Sequence, residues 1–295
     1  MWLIMGVGVA GVGLSVMHDA NHGSYTSSTK LNGIIGNAIA LIGGHSTNWK
    51  IQHNVLHHTY TNIDGLDEDI DPPGEMLRFS PHQPLKKMHK YQHLYAWFFY
   101  GLMTLAWSLT KDFQQLSRYN KKGLLKAQRT DYNTELRKII IAKVVYFSVI
   151  LVVPMIVLSV SWWMIVLGFL VKHYTAGLIL STIFQSAHVM ENMEYPEPNL
   201  EDGTLEHNWL VHQLFNTTNF AMSKKAFSWF VGGLNFQIEH HLFPNICHVH
   251  YSGLSKVVKK TAQEYGLPYY EEPTFRSALA THVRMLKQLG RPAVT

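Results

Sequence analysis

Two long apolar stretches follow each other in the middle of the chain and limit what it can fold into. Residues 139–160 contain one charged side chain, and residues 162–183 are interrupted only near their middle, by Lys172 and His173. A helix needs about 20 apolar residues to cross the roughly 30 Å of bilayer hydrocarbon. Each stretch is long enough, and the short uncharged link between them has room only for a tight turn. We therefore predict a helical hairpin over residues 139–183 that enters a membrane and returns.

Composition supports a membrane protein. Of the 295 residues, 47% are hydrophobic and 15% are charged, whereas a soluble domain has about 25% charged residues. The single cysteine, Cys247, excludes an internal disulfide and a cysteine-rich zinc module. A net charge of +5 suits an anionic membrane surface. No nucleic-acid motif accompanies that charge, so we expect an all-α integral membrane protein with no nucleic-acid partner.

Three further apolar segments are shorter. Residues 2–17 would form a helix of roughly 24 Å, slightly less than the bilayer core, so we expect a truncated N-terminal transmembrane helix with sequence missing upstream. Residues 31–44 are too few to span and predict a re-entrant or interfacial segment. Residues 94–110 are long enough to be ambiguous. If the histidines described below share one site, this segment lies along the membrane and does not cross it.

Charge predicts the orientation. Residues 111–138 contain eight lysines and arginines against three acidic residues, and short basic loops stay in the cytoplasm. The chain then forms a single domain over residues 1–295, and residues 184–295 form a cytoplasmic helical cap and tail. Within that tail, residues 252–290 predict two short amphipathic helices broken near Pro268 and Pro273.

Eight histidines are the chemical signature of the chain. Seven fall into three clusters, each just beyond a hydrophobic stretch, and histidines four residues apart share one face of a helix. Neutral imidazole suits iron, zinc and copper, and one zinc site needs only three or four ligands. Two neighbouring metal ions would use all eight. The histidines are His18 and His22; His53, His57 and His58; His188; and His240 and His241.

A histidine-rich site beside apolar helices suits the oxidation of a lipid chain. Iron is the natural metal because it binds and reduces dioxygen, whereas zinc has no redox chemistry. We expect the cytoplasmic cap to hold this di-iron site.

From about Val16 to Gly290, the chain resembles the membrane-bound fatty acid desaturases, most closely their front-end branch. The resemblance is carried by residues 17–23 (MHDANHG), 48–62 (NWKIQHNVLHHTYTN) and 233–244 (GLNFQIEHHLFP). Gln237, where other desaturases have histidine, is typical of the front-end branch, and the segment that ends at His188 matches the position of an additional ligand. The resemblance implies that the eight histidines are the di-iron ligands. It places Gln237 in an outer shell, with direct contact to iron left open.

The resemblance also implies the reaction and its partners. Long-chain acyl groups, carried on CoA or on a lipid, would receive a cis double bond at the expense of O2. Front-end enzymes are commonly fused to a cytochrome b5 domain, and its His-Pro-Gly-Gly haem motif does not occur here. Electrons would therefore come from a separate ferredoxin or cytochrome b5 with its reductase. The family has a further upstream transmembrane helix, which agrees with a truncated start.

Three other functions remain open. A di-iron lipid hydroxylase would share the ligands and the topology. A membrane zinc hydrolase is suggested by the His18–His22 pair, but it needs a glutamate directly after the first histidine, and Asp19 stands there. A metal transporter would carry ligands at mid-membrane depth, where only His173 is found. Asp19 and Glu239 could orient imidazoles, and the acidic residues between Asp64 and Asp71 could act as carboxylate ligands.

Overall fold

Three helices in the described part of the chain are long and apolar enough to cross a membrane. They appear in a computed structural model that describes residues 1–71 and 73–292, and they span Trp2–His22, Tyr132–Val157 and Trp162–His188. The second is the most exposed, with only 17% of its apolar window buried. Its outward side chains include Ile156, which is 77% exposed. In water this face would be an aggregation hazard, whereas in a bilayer it meets hydrocarbon.

The helices of the predicted hairpin are longer than the apolar stretches suggested. The first begins at Tyr132 because the Asp131 side chain accepts hydrogen bonds from the backbone N–H groups of Asn133 and Thr134. The second continues beyond residue 183 and ends at His188, so this histidine lies on the apolar helix itself. Residues 158–161 join the two helices.

The first helix also extends further than expected. It does not end at Met17 but continues to His22, which gives 21 residues. The first two histidines lie on the last turns of this helix.

The chain divides into two compact units. The first contains residues 1–51 and 98–181, and the second contains residues 52–97 and 182–295. The remaining helical segments are Thr29–Ile42, Ser46–Trp49, Lys50–His57, His58–Tyr60, Pro73–Glu75, Lys87–Tyr91, Gln92–Ala106, Trp107–Lys111, Asp112–Lys121, Leu124–Ala127, Trp209–Phe215, Lys225–Phe230, Gln237–Leu242, His248–His250, Tyr251–Glu264 and Phe275–Leu289.

Glycines allow close helix packing in the first unit. A Cβ at Gly101 would lie 2.3 Å from the Tyr174 ring, and one at Gly177 would lie 2.6 Å from the Gly101 carbonyl oxygen. Small residues at such positions let helix backbones approach closely, as is common in membrane helix pairs.

Buried polar side chains in the first unit bond to one another. Lys172 donates to the Leu41 carbonyl (2.9 Å) and to the Tyr146 hydroxyl (2.7 Å). That hydroxyl donates to His173 Nε2 (2.6 Å), and His173 Nδ1 donates to Thr104 Oγ1 (3.0 Å). The two polar residues that interrupt the apolar stretch are thus hydrogen-bonded, as buried polar groups in a membrane must be.

A second lysine of the hairpin forms a buried ion pair. Lys143 Nζ lies 2.6 Å from Asp112 Oδ2 and 2.7 Å from the Trp107 carbonyl oxygen, and it also donates to the Gly43 carbonyl. The Asp112 side chain is wholly buried. Lys143 therefore neutralises a carboxylate and satisfies two backbone carbonyls at once.

The second unit contains a short parallel strand pair and two tail helices. Strand β1, Thr218–Phe220, pairs with strand β2, Tyr270–Glu272, in the register Thr218 to Tyr270. The tail helices Tyr251–Glu264 and Phe275–Leu289 flank β2, which confirms the two predicted helices in this region.

Candidate metal centre

A π-helical segment orients the second histidine cluster. Residues 50–57 form a π-helix, in which backbone hydrogen bonds run from residue i to i+5. Residues four and five positions apart then both lie near one face, so His57 and His58 can each approach His53. The His53 and His57 rings stack with centroids 5.1 Å apart, and the Nε2 atoms of His53 and His58 are 3.3 Å apart. The local backbone thus turns three imidazoles to one side.

Three histidines of the second unit converge on one point. One ligand atom from each of His57, His188 and His241 lies within 4.8 Å of the others. All three side chains are buried, and none of their Nε2 atoms makes a well-formed hydrogen bond to a residue that the structure describes. A buried polar atom without a partner costs roughly 1–3 kcal/mol. Three such atoms at one point call for an explanation, and a bound cation supplies it.

The opposite nitrogen of each of these rings is hydrogen-bonded. His57 Nδ1 lies 3.0 Å from the Asp67 carboxylate, His188 Nδ1 lies 3.1 Å from the Asn216 carbonyl oxygen, and His241 Nδ1 lies 2.7 Å from Gln213 Oε1. Each partner is an acceptor, so each Nδ1 carries the proton. In the neutral ring, Nε2 then presents a lone pair, which is the form that binds a metal.

A second group shares one of these histidines. Ligand atoms of His58, His240 and His241 also lie within 4.8 Å of one another, and the Nε2 atoms of His58 and His240 are 3.1 Å apart. His53 Nδ1 lies 3.2 Å from Asp69, and His240 Nδ1 lies 3.3 Å from the Tyr251 hydroxyl. Several imidazole nitrogens thus crowd into a small volume, which a cation between them would stabilise.

Burial and neighbouring charges act differently on the groups of this centre. Burial lowers the pKa of His57, but the Asp67 and Asp69 carboxylates raise it more, so that this pKa lies above its ordinary value. Burial and four neighbouring histidines lower the pKa of His241 well below its ordinary value, so the ring is neutral. Burial raises the pKa of the Asp67 carboxyl, but the His57 ring and the backbone N–H groups of Asn62 and Asp69 lower it more. The pKa of Asp67 therefore lies below its ordinary value, and the carboxylate is ionised.

Gln237 and Glu239 differ in their contacts. The Gln237 amide faces the His188 ring, but it is fully buried and neither of its polar atoms makes a well-formed hydrogen bond. The Glu239 carboxylate accepts hydrogen bonds from Asn219 (2.8 Å) and Tyr269 (3.0 Å), and burial raises its pKa to about 7. Gln237 thus remains available to the centre, whereas Glu239 fastens its helix to the strand pair.

The first histidine pair belongs to the first unit. The rings of His18 and His22 lie 4.6 Å apart, and each is 5.5 Å from the Trp49 ring in an edge-on contact. Asp19 Oδ1 lies 3.8 Å from His18 Nδ1. The predicted sharing of one helix face by these two histidines is therefore confirmed.

Sequence reasoning missed several residues that support the centre. The acidic loop was considered as a source of ligands, but Asp67 and Asp69 instead bind the outer nitrogens of His57 and His53. No pattern in the sequence predicts a role for Gln213, because an isolated glutamine in an apolar helix has no recognisable spacing. His212 is buried and donates from Nε2 to the Thr61 carbonyl at 2.9 Å.

The donor set restricts the chemistry. Neutral imidazoles dominate both groups, a pattern that suits iron, copper or zinc and not magnesium or calcium, which prefer oxygen ligands. The residues present therefore fit a transition-metal centre. Burial of the same side chains keeps bulk water away from it.

Comparison with known proteins identifies similar chains. Residues 1–273 match the family model for fatty acid desaturases. The chain is 34% identical over 291 residues to the sn-1 linoleoyl-lipid 6-desaturase of Synechocystis sp., covering 98% of this chain and 79% of that one. It is 35% identical to the enzyme of the same name in Arthrospira platensis, with 98% and 77% covered. It is also 35% identical to the acyl-lipid (8-3)-desaturase of Physcomitrium patens, with 98% and 59% covered.

Proposed function

The chain belongs to the fatty acid desaturase family and is therefore an oxidoreductase that desaturates fatty acyl groups; we propose that it does so with two iron ions bound by its histidines. The observation that carries the proposal is the convergence of the buried Nε2 atoms of His57, His188 and His241, whose rings are each held by an acceptor at Nδ1. Iron would supply the capacity to bind and reduce dioxygen.

The proposed ligands are the eight histidines of the sequence prediction. His53, His57, His58, His188, His240 and His241 are supported by their positions in the second unit. His18 and His22 are included because they match the family motif. Gln237 is proposed to act from outside the ligand shell, because histidines already supply enough donors and its amide faces His188.

The reaction needs a balanced supply of electrons. Removing two hydrogens from adjacent carbons supplies two electrons and two protons, and reducing O2 to two waters consumes twice that number. A separate ferredoxin or cytochrome b5, with its reductase, would deliver the other two electrons, and solvent would supply the protons. The protein's part is to hold the imidazoles in one tautomer and to keep the reacting carbons away from bulk water.

The substrate class follows from the relatives. Three curated relatives are named for acyl-lipid or linoleoyl-lipid substrates, so we propose long-chain acyl groups on membrane lipids rather than on CoA. The front-end resemblance favours a cis double bond introduced towards the carboxyl end of the acyl chain. Three helices with the length and apolarity of membrane spans agree with a substrate that resides in the bilayer.

Product analysis in a host that lacks such fatty acids tests the proposal. Expression should produce a new double bond, located by mass spectrometry of derivatised methyl esters, and the purified protein should contain two irons per chain. The His57→Ala variant should abolish the product. The matched control is His82→Ala, because His82 bonds to Tyr195 and Glu197 and lies outside the cluster.

Other outcomes would redirect the proposal. A hydroxylated acyl chain without a double bond would identify a lipid hydroxylase. One zinc per chain and no iron would point to a zinc hydrolase. Full activity in the His57→Ala variant would remove that residue from the ligand set.

Orientation is proposed from charge. Short basic loops stay in the cytoplasm, so we propose a cytoplasmic position for the basic segment between residues 111 and 138, and a cytoplasmic active site. After replacement of Cys247, cysteine substituted for the exposed residues Lys126 or Ser252 should react with an impermeant reagent from the cytoplasm, and cysteine at Ser159 from the opposite side. Labelling of Lys126→Cys from outside would contradict the orientation.

A further inference from the structure

We propose that Asp67 and Asp69 are positioning residues, each of which fixes one histidine of the second cluster for metal binding. The proposal rests on the proposed function and adds to it the source of ligand orientation. It concerns two carboxylates on one loop and the outer nitrogens of His57 and His53.

Asp67 is held rigidly in place. Its side chain is fully buried, and its two oxygens lie 3.0 and 3.1 Å from His57 Nδ1. The same oxygens accept hydrogen bonds from the backbone N–H groups of Asn62 and Asp69, each at 2.9 Å. The carboxylate therefore has one available orientation, and the ring that it binds has one available tautomer.

Asp69 contacts His53 in a similar way, but its side chain is more exposed than that of Asp67. Its Oδ2 lies 3.2 Å from His53 Nδ1, and its Oδ1 accepts a hydrogen bond from Gln52. The side chain is 19% exposed, whereas that of Asp67 is inaccessible. Water can therefore substitute in part for a lost Asp69 oxygen, but it cannot reach the Asp67 position.

The two carboxylates give His57 and His53 a negatively charged hydrogen-bond partner. Among the described hydrogen bonds, the outer nitrogens of His188 and His241 have uncharged acceptors, a backbone carbonyl and the Gln213 amide. A carboxylate raises the basicity of the imidazole that it binds more than a neutral acceptor does. His53 and His57 are thus the more strongly donating ligands.

A loop with only a structural role would not require this pairing. The backbone contacts of Asp67 would hold the loop without any histidine, so loss of fold and loss of ligand orientation must be measured separately. In Asp67→Asn, one oxygen becomes an N–H donor and faces groups that also donate. The negative charge behind His57 is lost as well.

The experiment compares Asp67→Asn and Asp69→Asn with wild type and with Asp64→Asn. Asp64 lies on the same loop and makes no hydrogen bond to a histidine among the described residues, which makes it the matched control. Iron affinity is measured by competition with a chelator, ⁵⁷Fe Mössbauer spectra report the two iron environments, and thermal unfolding of the metal-free protein reports the fold.

We expect Asp67→Asn to weaken iron binding by about 10–100-fold and to change the spectrum of one iron. Asp69→Asn should cause a smaller loss and a smaller spectral change, and Asp64→Asn should match wild type. In the His57→Ala background, Asp67→Asn should cause no further loss of affinity, because its partner is already absent.

Unchanged iron affinity and spectra in Asp67→Asn, with only a lower unfolding temperature of the metal-free form, would overturn the proposal. If Asp67→Asn does not fold, Asp69→Asn decides, and a spectrum identical to wild type would refute the pairing. Wild-type protein without iron would instead contradict the proposed function, so the two failures are distinguishable.

Discussion

Replacing Lys143 with methionine should destabilise the protein strongly. Methionine keeps most of the side-chain volume but removes the ammonium group, which leaves the Asp112 carboxylate buried and unpaired. Removing one partner of a buried ion pair costs about 3–5 kcal/mol. The carbonyl groups of Gly43 and Trp107 lose a donor in the same substitution. The total should therefore lie at the upper end of this range.

Thermal unfolding in detergent, followed by tryptophan fluorescence, measures the effect. A loss of this size lowers the midpoint by on the order of 10 °C for a domain of 150–250 residues. The control is Lys260→Met. Lys260 pairs with Glu264 at 3.6 Å, and both side chains are exposed, by 79% and 58%, so its loss should cost less than about 1 kcal/mol.

A double variant tests the cause. Lys143→Met combined with Asp112→Asn removes the unpaired charge and should recover much of the lost stability, with a coupling energy above about 2 kcal/mol. The reasoning fails if Lys143→Met costs less than about 1 kcal/mol. It also fails if the double variant is no more stable than the single one.

Three other predictions concern pH, packing and metal removal. Burial lowers the pKa of His282 from 6.5 to about 4, so the unfolded chain binds this proton more tightly. The resulting contribution to the free energy of unfolding is complete above pH 6.5, is lost as pH falls from 6.5 towards 4, and amounts to about 3 kcal/mol. In a pH series, the unfolding midpoint of His282→Gln should therefore fall less steeply than that of wild type. Equal slopes would contradict this. Gly101→Ala should destabilise the protein by about 1–3 kcal/mol through the clash with Tyr174. Gly8→Ala is the control, because the space around Gly8 is open, and it should not destabilise the protein. Equal unfolding midpoints for the two variants would show that the helices can separate. Chelation of the metal should lower the unfolding midpoint, and readdition of iron should restore it. An unfolding midpoint that changes in neither step would argue against a metal bound by the folded protein.

The elements that the sequence predicted best are those with a strong periodic or compositional signal. Apolar length alone located the hairpin helices, although their ends depend on the Asp131 cap and on the continuation to His188. Spacing identified the histidine pair His18 and His22 as neighbours on a helix. Amphipathic spacing and prolines located the two tail helices.

The supports of the metal centre could not be predicted in the same way. Asp67 acts through a loop whose backbone N–H groups fix its carboxylate, and an acidic run between prolines and glycines resembles any solvated loop. The π-helix over residues 50–57 leaves no periodic trace, so the sequence could not show how His53, His57 and His58 all turn to one side. Lys143 looked like a charge near a helix end, because its partner Asp112 is 31 positions away in the chain.

The pairing of β1 with β2 also bears on how the enzyme is made. In the sequence, the segment that contains His240 and His241 lies between the two strands. Asn219 of β1 and Tyr269, directly before β2, both donate hydrogen bonds to the Glu239 carboxylate. Because a chain is synthesised from its N-terminus, every proposed ligand leaves the ribosome before Tyr270 does. A nascent chain that stops short of β2 would possess the full set of histidines without the strand that fastens the last two. The proposed metal centre is therefore expected to be complete only after the tail has been released and the strands have paired.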